Sequence, residues 1–307
     1  MQALRPDVEE DGSMTRMRSL LFVPGDSEKK LAKSEGIAAD ILILDLEDSV
    51  STRNKQSARE RVVEFLSARD RDIRRQVWVR INPLDHAEAG ADLAAVIPAM
   101  PDGIVLPKSR SPEDMELLGR RIGNYEAEYD IKVGSTRILP VATETPQALF
   151  SLGDYRNCGP RLAGLTWGAE DLSAAVGATT NRDEQGNWTP PYQWVRSICL
   201  FAAHAAGVAA IDTVYADFRD LEGFEKSCLE ARRDGFNGKL AIHPDQVEVI
   251  NRTFSPSDQE LSRARRIVDL FAANPGAGTL SLDGTMLDLP HLVQAKKILS
   301  MAEGDDR

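Results

Sequence analysis

Residues 41–47 read ILILDLE, and this stretch decides the fold class. A nearly continuous apolar run of this length is typical of a parallel strand that is buried on both faces. Its acidic residues come where the strand should end. Five other short apolar runs likewise carry a polar or charged residue at or next to their end, and a segment of helical composition follows each one. They read WVRIN (78–82), IVLPK (104–108), LPVATE (139–144), LTWGAED (165–171) and LAIHP (240–244).

This alternation of strands and helices predicts the α/β class and a (β/α)8 TIM barrel, because parallel strands require helical crossovers. Two further runs, at 18–24 and 210–217, bring the number of strands to eight. A barrel needs about 250 residues, so a chain of 307 residues has room for additions. We expect a mobile tail at 1–16, the catalytic barrel at 17–272, and a linker with a helical arm or lid at 273–307.

Several segments outside these strands also carry predictions. We expect a helix at 145–152, and a loop at 178–191, where the polar, turn-rich stretch is long enough to be functional. Residues 245–272 have helical composition. The Gly-rich stretch 274–285 is predicted to be a linker, and a final amphipathic helix is expected from Met286 onward.

Composition excludes several classes of protein. The net charge of −11 disfavours nucleic acid or an anionic membrane as partner. No apolar run approaches the roughly 18 residues of a membrane span, and the N-terminus has no signal-peptide core. Cys158, Cys199 and Cys228 are too few for a disulfide framework or a zinc site. We therefore expect a cytoplasmic protein with reduced thiols. Dinucleotide, P-loop and serine-hydrolase motifs do not occur.

The ends of the predicted strands carry the candidate chemistry. In a barrel these ends meet on one face, where active sites are built. Residues far apart in sequence therefore converge on a mouth rich in carboxylates. They are Asp45, Glu47, Asp48, Arg80, Lys108, Glu144, Glu170, Asp171 and His243.

Glu144 and Asp171 end consecutive strands, so their carboxylates should lie close together. Neighbouring carboxylates repel unless a cation lies between them or one takes up a proton. Mg2+ is typically held by one or two carboxylates together with water and substrate oxygens. No His or Cys lies near either residue in sequence, so zinc and copper fit poorly. The alternative is that both acids only cap helices.

The charged residues around this pair have more than one possible role. The fork of Arg80 suits a substrate carboxylate or an enolate oxygen, and a salt bridge to Asp45 or Glu47 is compatible with that role. Lys108 is expected to form a structural ion pair rather than a Schiff base, which would need desolvation. Asp45, Glu47 and Asp48 are candidates for acids that orient metal-bound water, and a purely structural role is the alternative. His243 could be a base, a contact at the edge of a ligand or a helix-entry hydrogen bond.

Taken together, several motifs resemble the citrate lyase β-subunit-like family, which belongs to the HpcH/HpaI group of barrel aldolases and CoA-thioester lyases. The motifs are RSLLFVPG, ILDLEDSV, VRIN, VLPK, GAEDL, AIDTVYADFRD and AIHP. The resemblance runs from about Arg18 to the last helix. The segment GAGTLSLDGTMLDLPHL (276–292) resembles the stand-alone citramalyl-CoA and malyl-CoA lyases, whereas the shorter β subunits of the citrate lyase complex are expected to lack it.

The resemblance implies a role for each candidate residue. Glu144 and Asp171 would hold Mg2+, and Arg80 would bind the oxygen-rich end of the substrate. Asp288 would reach the active site of the adjacent protomer in a homotrimer and act there as acid or base. The path of CoA would be lined by Lys29, Lys33, Arg59 and His243. Apart from the resemblance, their position at strand ends predicts that five further residues surround the metal: Asp45, Glu47, Asp48, Glu170 and Lys108.

The implied reaction is a retro-Claisen cleavage of a 3-hydroxyacyl-CoA to acetyl-CoA and a small 2-oxoacid, which would be pyruvate, glyoxylate or oxaloacetate. Three alternatives remain open at this point. The chain could be a malyl-CoA thioesterase or a malate-synthase-like enzyme. It could be the citryl-acyl-carrier-protein lyase subunit of a complex. It could also be a sensor without catalytic activity. The loop at 178–191 departs from the family pattern and leaves the identity of the acyl group open.

Overall fold

The barrel predicted from the sequence is present in the computed structural model, which describes residues 16–71 and 73–303. Eight parallel strands form one sheet in the order β5-β4-β3-β2-β1-β8-β7-β6. The strands are β1 (Ser19–Pro24), β2 (Ile41–Asp45), β3 (Gln76–Arg80), β4 (Gly103–Leu106), β5 (Arg137–Pro140), β6 (Gly164–Thr166), β7 (Ala209–Asp212) and β8 (Gly238–Ala241). The predicted tail at 1–16 lies outside the described residues, except for Arg16.

The two ends of this sheet, β5 and β6, approach each other to close the barrel. Instead of a continuous ladder they are joined by isolated bridges, Ile138 with Leu162 and Val141 with Thr166. Backbone N–H groups of Ala142 and Ala163 donate across the same boundary at 2.9 Å. We call this boundary the β5–β6 seam.

Helices cover the outside of the barrel and continue beyond it. They are α1 (Glu28–Ser34), α2 (Lys55–Ala68), α3 (Ala89–Val96), α4 (Pro112–Glu128), α5 (Ala169–Val176), α6 (Pro190–Ala206), α7 (Leu221–Asp234), α8 (Asp245–Phe254), α9 (Asp258–Ala273) and α10 (Leu289–Glu303). Within the described ranges, none of them combines the length and the apolar character that crossing a bilayer requires.

The two-residue period of the strands sorts their side chains between two cores. In β2, Leu42 and Leu44 belong to the large cluster between strands and helices, whereas Ile41 and Ile43 point into the barrel. Trp78 of β3 also fills the interior. Asp45 continues the inward series of β2, so its carboxylate lies at the top of the barrel interior.

Three predictions about connecting segments were wrong. Residues 145–152 do not form a helix; short 3-10 helices occur instead at Ala148–Phe150 and Leu152–Asn157. The predicted linker at 274–285 contains most of an antiparallel hairpin, β9 (Thr279–Leu282) with β10 (Thr285–Asp288). β10 also takes the first residues of the predicted final helix, so that helix begins at Leu289. Asp283, at φ 51°, and Gly284, at φ 77°, make the two-residue turn of this hairpin. The Gly-rich composition had suggested a linker instead.

The C-terminal segment has an apolar cluster of its own. Leu287 of β10 and Ala295 of α10 pack with Ala264, Ile267 and Phe271 of α9. This cluster is separate from the two cores of the barrel. The hairpin and α10 are therefore anchored on α9.

Candidate active site

Arg80 lies at the centre of the barrel mouth. Its Nε and Nη2 atoms donate to the two carboxylate oxygens of Asp45 at 2.8 and 2.7 Å. Its Nη1 atom lies 3.0 Å from Oε2 of Glu47, and its guanidinium covers the ring of Phe22. One edge of the arginine fork is therefore already occupied by the protein, and only the remaining N–H groups of Nη1 and Nη2 can face a ligand.

Lys108 links Arg80 and its acids to the predicted metal pair. Its ammonium lies 2.5 Å from Oε1 of Glu47, 3.3 Å from Oδ1 of Asp171 and 3.6 Å from Oδ1 of Asp48. Its backbone N–H donates to Oε2 of Glu144. Lys108 has a φ of 50°, a left-handed conformation that is uncommon for a residue with a side chain. Through that turn one residue contacts both ends of the site.

The ionisation of these groups follows from their burial and their partners. Burial raises the pKa of Glu47, and the charge of Arg80 only partly offsets it. Burial would also raise the pKa of Asp45, but the hydrogen bonds and charge of Arg80 lower it overall. Burial works against the positive charge of Arg80 and Lys108. Their acidic partners outweigh it and raise both pKa values, so both remain cations.

Glu144 is the most perturbed acid of the mouth. Burial raises its pKa to about 8, the negative charges of Asp171 and Glu47 contribute, and the N–H of Lys108 opposes the rise. Gly168 packs directly against it: a Cβ there would lie 2.7 Å from Cγ of Glu144. Asp171, on the first turn of α5, is partly exposed. At neutral pH the metal-free chain therefore keeps Glu144 largely protonated, and a cation at the pair would favour its ionised form.

This pair fits a hard cation. Its donors are carboxylate oxygens, which suit Mg2+ better than zinc or copper. In residues 16–71 and 73–303, no three Asp, Glu, His or Cys side chains converge as a complete metal cage. A cation at Glu144 and Asp171 would therefore need further oxygens from water or substrate, which is the usual condition of bound Mg2+.

Other predicted site residues lie apart from this network. Lys29 and Lys33 are exposed on α1, and Glu170 is exposed on α5. Arg59 is engaged by Glu88 and by buried Asp92 of α3. These contacts give Arg59 a structural partner within its own chain.

His243 and Asp288 occupy loops and hairpins around the barrel rather than the network itself. The ring of His243 stacks on Phe218 at 4.9 Å, and its Nδ1 lies 3.4 Å from Asp245. Asp288 ends β10, where its carboxylate meets Nδ1 of His291 at 2.5 Å. Within one chain, Asp288 is thus held with the C-terminal segment on α9.

Two residues important for the mouth had no role in the sequence predictions. The ammonium of Lys55 is buried and donates to the carbonyls of Leu46 and Glu47 at 2.7 and 2.8 Å. It also donates to Oδ1 of Asn82 at 2.8 Å, and Asn82 is bonded to Asp92. The ammonium of Lys55 therefore holds the turn that carries Glu47 in place. A lysine in an amphipathic helix gives little sign that it will be buried.

Comparison with known proteins places this geometry in a family context. Residues 18–244 match the model of the HpcH/HpaI aldolase/citrate lyase family. The chain is 34% identical to a (3S)-malyl-CoA thioesterase of Cereibacter sphaeroides, with 93% of this chain and 94% of that protein covered. It is 34% identical to the citrate lyase subunit beta of Haemophilus influenzae, covering 96% and 99%. It is 32% identical to the mitochondrial citramalyl-CoA lyase of Rattus norvegicus, covering 93% and 86%.

A solved structure shows the same architecture with ligands. CitE of Mycobacterium tuberculosis, in complex with magnesium, acetoacetate and coenzyme A, superposes with a TM-score of 0.78 at 30% identity, covering 94% of this chain and 98% of that one. The coverage of the Haemophilus subunit also corrects one expectation. Because that β subunit matches over 96% of this chain, length does not separate stand-alone lyases from citrate lyase β subunits.

Proposed function

Because the chain belongs to the HpcH/HpaI aldolase/citrate lyase family, we propose that it is a Mg2+-dependent carbon–carbon lyase acting on a 3-hydroxyacyl-CoA of the citramalyl-CoA or malyl-CoA type. The products would be acetyl-CoA and a 2-oxoacid. The observation that carries this proposal is the junction at Lys108, which connects Glu144 and Asp171 with Arg80 and Glu47 at one barrel mouth. Magnesium in the related CitE structure supports the choice of cation.

Glu144 and Asp171 would hold Mg2+ through carboxylate oxygens. When bound, Mg2+ supplies Lewis-acid chemistry that makes the substrate hydroxyl more acidic. The outward N–H groups of Arg80 would bind the substrate carboxylate and stabilise negative charge as it develops. Because Asp45 holds the other edge of Arg80, this donor is already oriented before substrate arrives.

Cleavage requires that the hydroxyl proton leave and that the bond between C2 and C3 of the acyl chain break. The electron pair of that bond then forms the enolate of acetyl-CoA, whose carbon must take up a proton. We assign this proton to Asp288 of a second copy of the chain in a homotrimer, and the C-terminal segment would exclude water as it closes. The segment that carries Asp288 is anchored on α9 through Leu287, and the side-chain contact of Asp288 is to His291 rather than to the mouth network, which is consistent with action in trans.

The decisive experiment offers citramalyl-CoA and malyl-CoA separately to the purified chain with Mg2+. The 2-oxoacid is trapped as a hydrazone while free thiol is followed in parallel. A lyase releases 2-oxoacid without thiol, and a chelator abolishes the signal. Asp171→Asn serves as the metal-site variant, and Asp154→Asn serves as an exposed acid outside the network.

A thioesterase is the second candidate, because a (3S)-malyl-CoA thioesterase is among the relatives. The two reactions would differ in whether water reaches the thioester. Thiol without 2-oxoacid from malyl-CoA would identify the thioesterase. Thiol formed from acetyl-CoA and glyoxylate would identify synthase-type turnover. If neither 2-oxoacid nor free thiol forms in any of these assays, these activities are excluded. The result would then favour a carrier-protein-dependent β subunit, whose substrate is citryl-acyl-carrier protein, or a sensor.

A further inference from the structure

The segment 181–189, which was predicted to be a loop, is a preformed hairpin. Arg182 and Trp188 pair as an antiparallel bridge, and the N–H of Thr189 donates to the carbonyl of Asn181 at 3.0 Å. Asp183 closes the tip by accepting from the N–H groups of Gln185 and Asn187 at 3.0 and 2.8 Å. Arg182 therefore projects from a backbone that is already fixed.

The guanidinium of Arg182 is held by aromatic rings. It lies 3.6 Å from the ring centre of Trp188 and 5.7 Å from that of Tyr215. Trp188 packs edge-on against buried Trp167 at 5.0 Å, and Trp167 donates to Asp212 at 2.7 Å. Tyr215 is fixed by a hydrogen bond to Asp220 at 2.7 Å. Cation–π contacts of this kind orient an arginine without neutralising its charge.

Arg182 has no acidic partner at ion-pair distance among the described residues, and its side chain makes one hydrogen bond, from Nη1 to the carbonyl of Gly186 at 2.7 Å. Burial lowers its pKa, and Tyr215, Glu170 and Asp212 compensate only in part. A half-buried cation without a counterion is unfavourable, and its position in a chain of net charge −11 makes the missing partner notable.

The hairpin places this cation beside the candidate active site. It follows α5, whose first turn carries Glu170 and Asp171, and it folds back onto Trp167, one residue before Gly168. Gly168 is the residue that packs against Glu144. Tyr215, on the other side of Arg182, follows β7. Arg182 therefore lies on the β6–β7 side of the mouth.

We propose that Arg182 binds an anionic oxygen group of the acyl-CoA substrate, either a phosphate of CoA or, for an acyl chain that yields oxaloacetate, the second carboxylate that malyl and citramalyl chains lack. This inference rests on the proposed function. A guanidinium that is stacked, oriented and short of hydrogen-bond acceptors suits planar recognition of either group. The anion would supply the acceptors that the free protein does not.

The test measures dissociation constants by calorimetry for four probes in the presence of Mg2+: CoA, 3′-dephospho-CoA, oxaloacetate and pyruvate. Arg182→Gln removes the charge, Arg182→Lys keeps it but loses the fork, and Arg120→Gln, on the exposed face of α4, is the matched control. We expect Arg182→Gln to weaken binding of one class of probe about 10- to 100-fold, the effect of losing a charge-assisted hydrogen bond. Arg182→Lys should recover part of it.

The pattern of loss identifies the anion. Loss confined to CoA assigns the 3′-phosphate, loss of both CoA forms assigns the diphosphate, and loss of oxaloacetate but not pyruvate assigns the second carboxylate. Wild-type affinity of Arg182→Gln for all four probes, or an equal loss for all four, would overturn the proposal. Failure of the wild-type chain to bind any probe would instead refute the proposed function on which it rests.

Discussion

Replacing Glu144 with Gln should change how the stability of the metal-free protein depends on pH. The folded chain raises the pKa of this carboxyl to about 8, first through burial and then through Asp171 and Glu47. In the unfolded chain it should titrate near its ordinary value of 4.5. Between these values the folded protein binds the proton and the unfolded chain does not. The contribution of this group to stability is therefore complete below pH 4.5 and is lost as the pH rises through 8.

The magnitude follows from the same two values. Each unit of pKa difference corresponds to about 1.4 kcal/mol, and Glu144 is buried, so solvent screening reduces it little. Between pH 6 and pH 8 the wild-type protein should lose about 2 kcal/mol of unfolding free energy from this group. The amide introduced by Glu144→Gln has no proton to lose, and its oxygen can still accept from the N–H of Lys108. The variant should therefore lack this loss.

The assay is urea unfolding of both proteins at pH 6 and pH 8 with a chelator present. The quantity of interest is the change, between the two pH values, in the stability difference between wild type and variant. Glu126→Gln is the control: Arg161 and backbone N–H groups outweigh burial and lower the pKa of Glu126 to about 2, so its effect should be equal at both pH values. Parallel pH profiles for wild type and Glu144→Gln would refute the reasoning.

Three further predictions test other parts of the site. Gly168→Ala should weaken Mg2+ binding at least 10-fold in a calorimetric titration, because its Cβ would press on Cγ of Glu144 at 2.7 Å. The control Gly36→Ala, whose Cβ would meet no atom within 4 Å, should bind Mg2+ as the wild type does. Equal Mg2+ affinities of the two variants would contradict the packing argument. Lys55→Met should lower the unfolding free energy by about 3 kcal/mol, because it removes three hydrogen bonds of a buried ammonium and leaves Oδ1 of Asn82 without its donor. Urea unfolding beside the exposed control Lys226→Met checks this, and similar stabilities would count against it. Asp288→Asn should leave Mg2+ and 2-oxoacid binding intact while turnover falls at least 100-fold. The control Asp283→Asn, on the turn of the same hairpin, should retain turnover. Unchanged turnover in Asp288→Asn would remove that residue from the mechanism.

The barrel could be predicted because each strand has a recognisable local sequence pattern. Apolar runs such as ILILDLE mark strands buried on both faces, and each is followed by a segment of helical composition, so the eight parallel strands were expected and are confirmed. The hairpin at β9 and β10 was not predicted, although the Asp283–Gly284 pair is a sequence signal for a two-residue hairpin turn. Its strands are short and partly exposed, and their pairing depends on packing of Leu287 against α9.

The site was predictable to the extent that barrel topology brings strand ends together. Asp45, Arg80 and Lys108 do meet at one mouth, and the ion pair expected for Lys108 is observed. The contacts of Lys55 and Arg182 depend on side-chain paths across different elements. No periodicity encodes such paths. Arg59 illustrates the converse, because a basic residue on a helix gives no local sign that Asp92 of the next helix will engage it.

The β5–β6 seam has a mechanical consequence. Elsewhere in the sheet, ladders of hydrogen bonds join neighbouring strands. At the seam, isolated bridges and a few backbone hydrogen bonds close the barrel. Glu144 and Asp171 follow these two strands, one on each side of the seam. Local opening should be least costly where cross-strand bonds are fewest. A cation bound by both carboxylates would therefore stabilise the β5–β6 seam against local opening. Its binding energy would appear as slower amide hydrogen exchange of β5 and β6 along the seam.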